Sequence, residues 1–567
     1  MERPILSPNL PALLFDHARR RPESPMLRHF VHGEWRSISW AEFAREAASC
    51  ARFFRKLGIE PGARVVIVCE NRPEQLMAEV ALMAIGAVPV PTYTTNAIAD
   101  HAHILRDSGA VMAIAGNRTL ADRLRLASND AASLSRLIVL EEPREDEIAL
   151  AAAFLDTKAA DDIAEMAAKI PSTDLACLIY TSGTSGPARG VMLPHRSILS
   201  NIAGVADVIR ALKLGDREVY LSFLPASHSF EHTVGQFLLP SVGVETVYAT
   251  GIEFLADNMQ VVRPTIMAVV PRILEVIRGR ILAAAARGGG LQRKLFAMAM
   301  AAGERKAERR ARASDRLMLP LLDRLVLHKI RARFGGRLRI LVSGGARLPP
   351  EVGRFYQAVG FTLLQGYGQT EAGPVISVNQ PPRIRAETVG APLLGVEVKI
   401  AEDGEILVRG DLVMQGYWNR PEATAAALRD GWLHTGDIGV LELDGHLRIT
   451  DRKKDLIILS GGENISPAYV EGILMAEPEI QQVVVAGEGK ANLSALIVPA
   501  QDAGEAQIRE AVKRANGRLS STERIRRHHL VEAFTIENGL LTPTQKIRRA
   551  LIIDRYRGIL EGGTTGS

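Results

Sequence analysis

The stretch Tyr180-Thr181-Ser182-Gly183-Thr184-Ser185-Gly186-Pro187-Ala188-Arg189-Gly190-Val191 concentrates polar chemistry in a short length of chain. It offers backbone N–H groups, hydroxyls from Thr181, Ser182, Thr184 and Ser185, and one cation, Arg189. Donors around a turn with a cation beside them make a nest for a polyphosphate. GxxxxGK[ST] is absent, so this is not a Walker A loop. G-x-S-x-G is absent as well, which argues against a serine-hydrolase nucleophile elbow. The three cysteines, Cys50, Cys69 and Cys177, lack metal-ligand spacing and read as reduced core thiols.

Other polar stretches follow in order: Ser343-Gly344-Gly345-Ala346-Arg347, Gln365-Gly366-Tyr367-Gly368-Gln369-Thr370-Glu371, Gly431-Trp432-Leu433-His434-Thr435-Gly436-Asp437, Asp451-Arg452-Lys453-Lys454-Asp455 and Asn538 to Arg549. Taken with the loop, the series resembles the motifs of the adenylate-forming (AMP-binding) superfamily, which includes acyl-CoA synthetases, luciferases and adenylation domains of peptide synthetases. The family loop usually reads Y-T-S-G-T-T-G-x-P-K-G-V. This chain departs from it at Ser185, Ala188 and Arg189, with a proline one place early at Pro187. The first and third departures keep hydroxyl and charge, although a planar fork replaces a point charge. The resemblance runs from about Gly58 to Arg549.

The resemblance implies ATP, Mg²⁺ and coenzyme A. Thr181, Ser182, Gly183, Thr184, Ser185, Gly186 and Arg189 would cradle the phosphates. Gly345, Ala346, Gly366, Tyr367 and Gly368 would border the adenine, with Tyr367 against the ring. Thr370 would bond a phosphate, and Glu371, with Thr181, would hold Mg²⁺; a carboxylate suits that hard cation. Asp437 and Arg452 would contact the ribose. Lys546 would be the catalytic lysine, and Gly461 and Gly462 would lie beside a pantetheine tunnel. The small domain would swing about Lys454.

Leu224-Pro225-Ala226-Ser227-His228-Ser229-Phe230-Glu231 resembles the fatty acyl-CoA synthetase motif in which His228 borders the acyl site. The sole acid between Ser222 and Phe237 is Glu231, which counts against an amino acid substrate. The expected reaction is activation of a fatty acid, long-chain by resemblance, to acyl-AMP and then to acyl-CoA. An acyl-AMP ligase serving a carrier protein, or a CoA ligase for aryl or terpenoid acids, stays open.

These residues need a scaffold. At 567 residues the chain exceeds one compact core. Strand-length apolar runs such as Arg64–Cys69, Val219–Leu224 and Leu338–Val342 alternate with helical segments such as Pro73–Ile85, Ser197–Ile209 and Arg272–Ala286, which predicts helix-covered parallel sheets. After about Gly390 short strands with Gly-rich turns, among them Gly439–Ile449, predict a small β-barrel-like subdomain. The expected class is α/β, with a large domain over 1–452 and a mobile α+β domain over 453–567. Neither a secretory leader nor an uninterrupted apolar run of spanning length is evident, so the expected location is cytoplasmic.

Net charge is only +5, yet twelve Lys and Arg face four Asp and Glu between Gln292 and Phe334, with leucines interleaved. The segment 293–333 reads as a solvated helical surface or as a docking surface for anionic lipid or cofactor phosphates, peripheral to a membrane where lipid is the partner. Nucleic acid is not expected, since no binding motif accompanies the charge. Oligomeric state is open, a homodimer included.

Overall fold

Pro89 and Pro91 lack the N–H that an inner strand needs, so Val88–Thr92 belongs at a sheet edge. The computed structural model describes residues 7–561, other than 131–133, 182–186, 216, 462, 502, 536 and 542–546. Val88–Thr92 ends a five-stranded parallel sheet that continues through Arg64–Val68, Met112–Ala115, Arg136–Val139 and Ile148–Ala149. Its Val- and Ile-rich inner strands are buried on both faces, as helix-covered parallel strands must be.

A second sheet has nine strands in the order Ala391–Pro392, Val375–Val378, Thr362–Gly368, Ile340–Ser343, Ile266–Val269, Val219–Ser222, Glu245–Tyr248, Pro25–Val31 and Glu34–Ser39. From Thr362–Gly368 to Pro25–Val31 the pairs are parallel, while the outermost pairs are antiparallel. Local signals start the intervening helices. Ser39 and Glu42 form a reciprocal capping box before Trp40–Lys56, and Pro73 opens Pro73–Ala84.

The chain divides into two compact units. The first holds Met1–Val398, Val408–Leu433 and Asp444–His446; the second holds Lys399–Leu407, His434–Leu443 and Leu447–Ser567. In the second, Ile480–Ala486, Leu493–Pro499 and Ile525–Leu530 form a sheet backed by Pro467–Met475 and Glu505–Asn516. The α/β class with a large and a smaller helix-and-strand region is as expected.

One predicted element differs. The single helix expected over Ser197–Ile209 is two, His195–Gly204 and Ala206–Leu212; at the break, Gly204 sits so close to Leu393 that an added Cβ would lie 3.0 Å from its side chain. Gly439–Ile449, read as short strands about a Gly-rich turn, does span a hairpin turn between Trp432–Leu441 and Leu447–Arg452, where Gly445 takes φ +81°. Among the described residues no helix is long and apolar enough to cross a membrane.

Candidate active site

Thr181 and Arg189 face each other across the antiparallel pair Leu175–Thr181 and Arg189–Pro194. The glycine-rich stretch therefore joins two strands of a hairpin, and the helix follows only at His195, after the second strand. Residues Ser182, Gly183, Thr184, Ser185 and Gly186 lie outside the described residues. Gly190 keeps this hairpin uncrowded, because a Cβ there would come within 3.1 Å of the Tyr180 ring.

The far edge of Arg189–Pro194 pairs with Gly416–Tyr417. This puts the Arg189 guanidinium 5.6 Å from the Tyr417 ring centroid, a cation–π distance. The Tyr417 hydroxyl donates to Glu371 Oε1 at 2.8 Å. Burial, then the adjacent Glu371 carboxylate, push this phenol well above its ordinary range, so it stays a donor. One cation, one ring and one carboxylate are thus linked in series. Nothing local in the sequence marks Tyr417, which reaches Glu371 across 46 residues.

Glu371 and Thr370 sit just beyond the strand Thr362–Gly368, which turns back into Val375–Val378. The turn is closed by Gln369 N–H donating to the Pro374 carbonyl at 2.9 Å. Gly368 permits it: a Cβ there would stand 1.8 Å from that same carbonyl oxygen. Gly366 and half-buried Tyr367 lie one and two residues earlier on the strand.

The Thr370 and Ser229 hydroxyls are 2.9 Å apart. Ser229 follows His228, whose Nδ1 accepts from Phe230 N–H at 3.2 Å and whose ring centroid is 6.5 Å from that of Tyr93. The Phe230 ring backs onto Gly344, where a Cβ would lie 3.2 Å away. Next to it, exposed Gly345 holds φ +79°, a conformation that glycine adopts without strain, and Ala346 is also exposed. In the first unit, then, Arg189, Glu371, Thr370 and His228 fall along one line of contacts, tied together by Tyr417 and Ser229. Thr181 stands opposite Arg189 at its head.

A buried polar network supports the His228 loop. Asn71 Nδ2 donates to Ser222 Oγ at 3.1 Å and to the Leu224 carbonyl at 2.5 Å, while Asn71 Oδ1 accepts from Ala226 N–H at 2.8 Å. Ser222 Oγ donates to Glu231 Oε1 at 2.6 Å, and the Tyr220 hydroxyl donates to Glu231 Oε2. Burial pushes the Glu231 carboxyl up to about 8, against the hydrogen bonds from Ser222, Tyr220 and Gln236. Glu231 is fully buried and spent on these partners, so it presents no carboxylate to a substrate amine.

The second unit holds a separate cluster. Asp437 and Arg452 are cross-strand partners, with Arg452 Nε 3.2 Å from Asp437 Oδ1. Below them buried Glu405 accepts from Gly436 N–H at 2.9 Å and from Lys453 Nζ at 3.0 Å. Burial alone would raise the Glu405 carboxyl; hydrogen bonds from Lys453, Gly436 and His434 outweigh it and hold the group below its ordinary value. Gly461 is exposed in the turn between Ile457–Ile458 and Asn464–Ile465. Gly462 and Lys546 lie outside the described residues. On either side of 542–546, Leu541 bridges Ile547 and the Arg548 N–H donates to the Leu540 carbonyl at 3.0 Å.

The donor set suits a cation that arrives with a phosphate. Glu371 Oε1 is taken by Tyr417, which leaves Oε2 toward a hard ion, and Mg²⁺ commonly takes one or two carboxylates with substrate phosphates and water completing its shell. Among the described residues no group of three His, Cys, Asp or Glu could hold a metal without such help.

Comparison with known proteins gives this geometry its context. The AMP-binding enzyme family matches residues 14–418, and the AMP-binding enzyme C-terminal domain matches residues 454–562. The long-chain-fatty-acid–CoA ligase FadD15 of Mycobacterium tuberculosis is 33% identical over 554 residues, covering 92% of this chain and 91% of that protein. Human long-chain-fatty-acid–CoA ligase 1 is 30% identical over 85% of this chain and 70% of its own length. Among solved structures, an anthranilate CoA ligase, AuaEII, bound to anthranoyl-AMP superposes with a TM-score of 0.75 at 20% identity, covering 97% of this chain and 98% of its own. A fatty acyl CoA synthetase of Mycobacterium tuberculosis gives 0.66 at 24%, over 97% and 99%. At those identities the structures speak for the fold, whereas the family match spans most of the sequence: this chain belongs to the AMP-binding enzymes.

Proposed function

We propose that the chain is a long-chain-fatty-acid–CoA ligase. The observation that carries this reading is end-to-end similarity, at 33% identity, to a relative of that name. The line of contacts from Arg189 through Tyr417 and Glu371 to Thr370, Ser229 and His228 supports it, since nucleotide-type and acyl-type motifs meet there.

The fatty acid carboxylate attacks the α-phosphorus of ATP, forming the mixed anhydride acyl-AMP and expelling pyrophosphate. Positioning and electrostatic stabilisation are the protein's contribution to such a transfer. The hairpin residues Thr181 to Arg189 cradle the phosphates, Tyr367 lies against the adenine, and Gly345, Ala346, Gly366 and Gly368 let backbone approach it. Thr370 bonds a phosphate, Asp437 and Arg452 hold the ribose, and His228 borders the acyl chain. Mg²⁺ bound with ATP at Glu371 and Thr181 supplies charge screening of the phosphates. Lys546 bridges carboxylate and α-phosphate.

The CoA thiolate then attacks the acyl carbonyl, making the thioester and releasing AMP. For this step the C-terminal domain, taken as 453–567, turns about Lys454 and brings Gly461 and Gly462 beside the pantetheine arm. The test is AMP formation dependent on ATP, Mg²⁺ and CoA across saturated acids of rising length. Turnover should peak among long chains. A peak among short, aryl or terpenoid acids would overturn the substrate assignment, and acyl-AMP without acyl-CoA would overturn the acceptor.

A further inference from the structure

The helix Ile98–Ser108 carries none of the site residues, yet two of its side chains reach their immediate neighbours in the chain. Ala102, Ile104 and Leu105 bury one side of it in a core shared with Leu178 and Tyr180. Its C-terminal end is seated by Arg64, which donates from Nε to the Ser108 carbonyl at 2.8 Å and from Nη2 to the Gly109 carbonyl at 3.1 Å. The same guanidinium lies 5.3 Å from the centroid of the Trp418 ring. On this anchored helix His103 and Asp107 stand about one turn apart, the spacing that stacks side chains on one face.

Both grip the arms of the glycine-rich hairpin. His103 Nε2 is 2.8 Å from the Ala188 carbonyl; a carbonyl only accepts, so Nε2 carries the proton. The Tyr180 hydroxyl donates to Asp107 Oδ2 at 2.8 Å. Burial, then the Asp107 charge, push that phenol well above its ordinary range, so it stays a donor. Asp107 also holds the segment after Tyr417. Its Oδ1 accepts from Arg420 Nη2 at 2.7 Å, and its backbone carbonyl accepts from Trp418 Nε1 at 3.1 Å and from Asn419 Nδ2 at 3.3 Å. The Asp107 side chain is only 9% exposed, so its carboxylate is spent on these partners. Tyr180 immediately precedes Thr181, Ala188 precedes Arg189, and Trp418 follows Tyr417. One helix face therefore meets the chain a single residue away from three groups at the phosphate end of the site.

We propose that His103 and Asp107 are positioning residues for nucleotide binding: they fix Thr181, Arg189 and Tyr417, and through Tyr417 the Glu371 carboxylate, as one frame for a phosphate and its cation. They act through these neighbours and do not touch the nucleotide themselves. The inference rests on the nucleotide reading of Thr181, Arg189 and Glu371. Strand pairing already sets the backbone register of Arg189–Pro194 against Leu175–Thr181 and Gly416–Tyr417, so the fold alone needs no further ties at these points. Placement of the cation, ring and carboxylate does need them, because a donor displaced by about 1 Å from its phosphate loses most of its worth.

Calorimetry of MgATP binding to the full chain, with no acid present so that nothing turns over, tests it. Tyr180→Phe and His103→Phe each keep a ring and remove one hydrogen bond. MgATP binding should weaken roughly tenfold in the first, which loses a bond to a charged group, and roughly threefold in the second. Asp107→Ala should weaken it at least as much as Tyr180→Phe, and adding Tyr180→Phe to Asp107→Ala should cost nothing more, since both remove the same contact. In steady state the KM for ATP should rise while the KM for the fatty acid stays put. A support for folding alone would lower the melting temperature and the active fraction and leave the KM for ATP unmoved. If melting curves show that Asp107→Ala does not fold, the two phenylalanine variants decide. Parent affinity in both of them, or KM values for ATP and acid that move together, overturns the proposal. A parent chain that binds no MgATP would overturn the nucleotide reading itself, and the proposal with it.

Discussion

Tyr417 tests how Glu371 is aimed. Its hydroxyl holds one carboxylate oxygen, and its ring carries the Arg189 guanidinium. Tyr417→Phe keeps the ring but frees the carboxylate, so adenylation should fall by roughly tenfold, the worth of about one hydrogen bond to a charged group. The fall should appear in pyrophosphate release at limiting Mg²⁺, with the melting temperature little changed. Gly368→Ala is a test of the opposite kind. With the Pro374 carbonyl 1.8 Å from the new Cβ, the turn must open, and a loss of stability of about 1–3 kcal/mol by chemical denaturation is expected. Residue types in the candidate site were legible in the sequence because each motif is local. Tyr417, Ser229 and Asn71 were not assigned there, since their contacts to Glu371, Thr370 and Ala226 span 46, 141 and 155 positions that only the folded chain brings together.

Elements were readable where one rule sufficed. Alternation of strands and helices marked the parallel sheets, and the proline pair explains the edge at Val88–Thr92. The hairpin behind the glycine-rich stretch was harder to read, because Arg189–Pro194 is a short strand directly followed by a helix and carries no turn signal between them. At this scale the strand Val219–Ser222 and the helical turn Ser229–Glu231 are clamped by Glu231. Its carboxyl is raised from 4.5 to about 8 in the folded protein. The folded state therefore keeps a proton that the unfolded chain loses above about 4.5, and this group's stabilising contribution is complete below that value and lost as pH rises through about 8. Glu231→Gln mimics the neutral form and should flatten the decline of melting temperature over that window. A variant with the parent's slope would mean that another group titrates there.

For the whole molecule, the two half-reactions make different demands on the same chain. Lys546→Ala should reduce acyl-AMP formation by roughly a hundredfold or more, the usual cost of one pre-organised contact to developing charge. Supplied acyl-AMP should still be converted to acyl-CoA at the parent rate, followed by thiol consumption. Equal loss in both assays would count against the lysine's role. The sequence made a large and a small domain legible through the texture change after Gly390 and the charged run at Asp451. It held no sign that the compact units would interleave, with Lys399–Leu407 and His434–Leu443 joining the C-terminal residues, because strand pairing there depends on partners distant in the chain.

The seat of Glu231 leaves no room across from it: a methyl group on Gly235 would sit 2.1 Å from its Oε1. Positions 231 and 235 therefore form one heritable unit. The Tyr220 ring would stand 2.9 Å from the same methyl, so across related sequences a side chain should appear at the second only where the acid at the first has been replaced by something smaller and the ring at 220 has also given way.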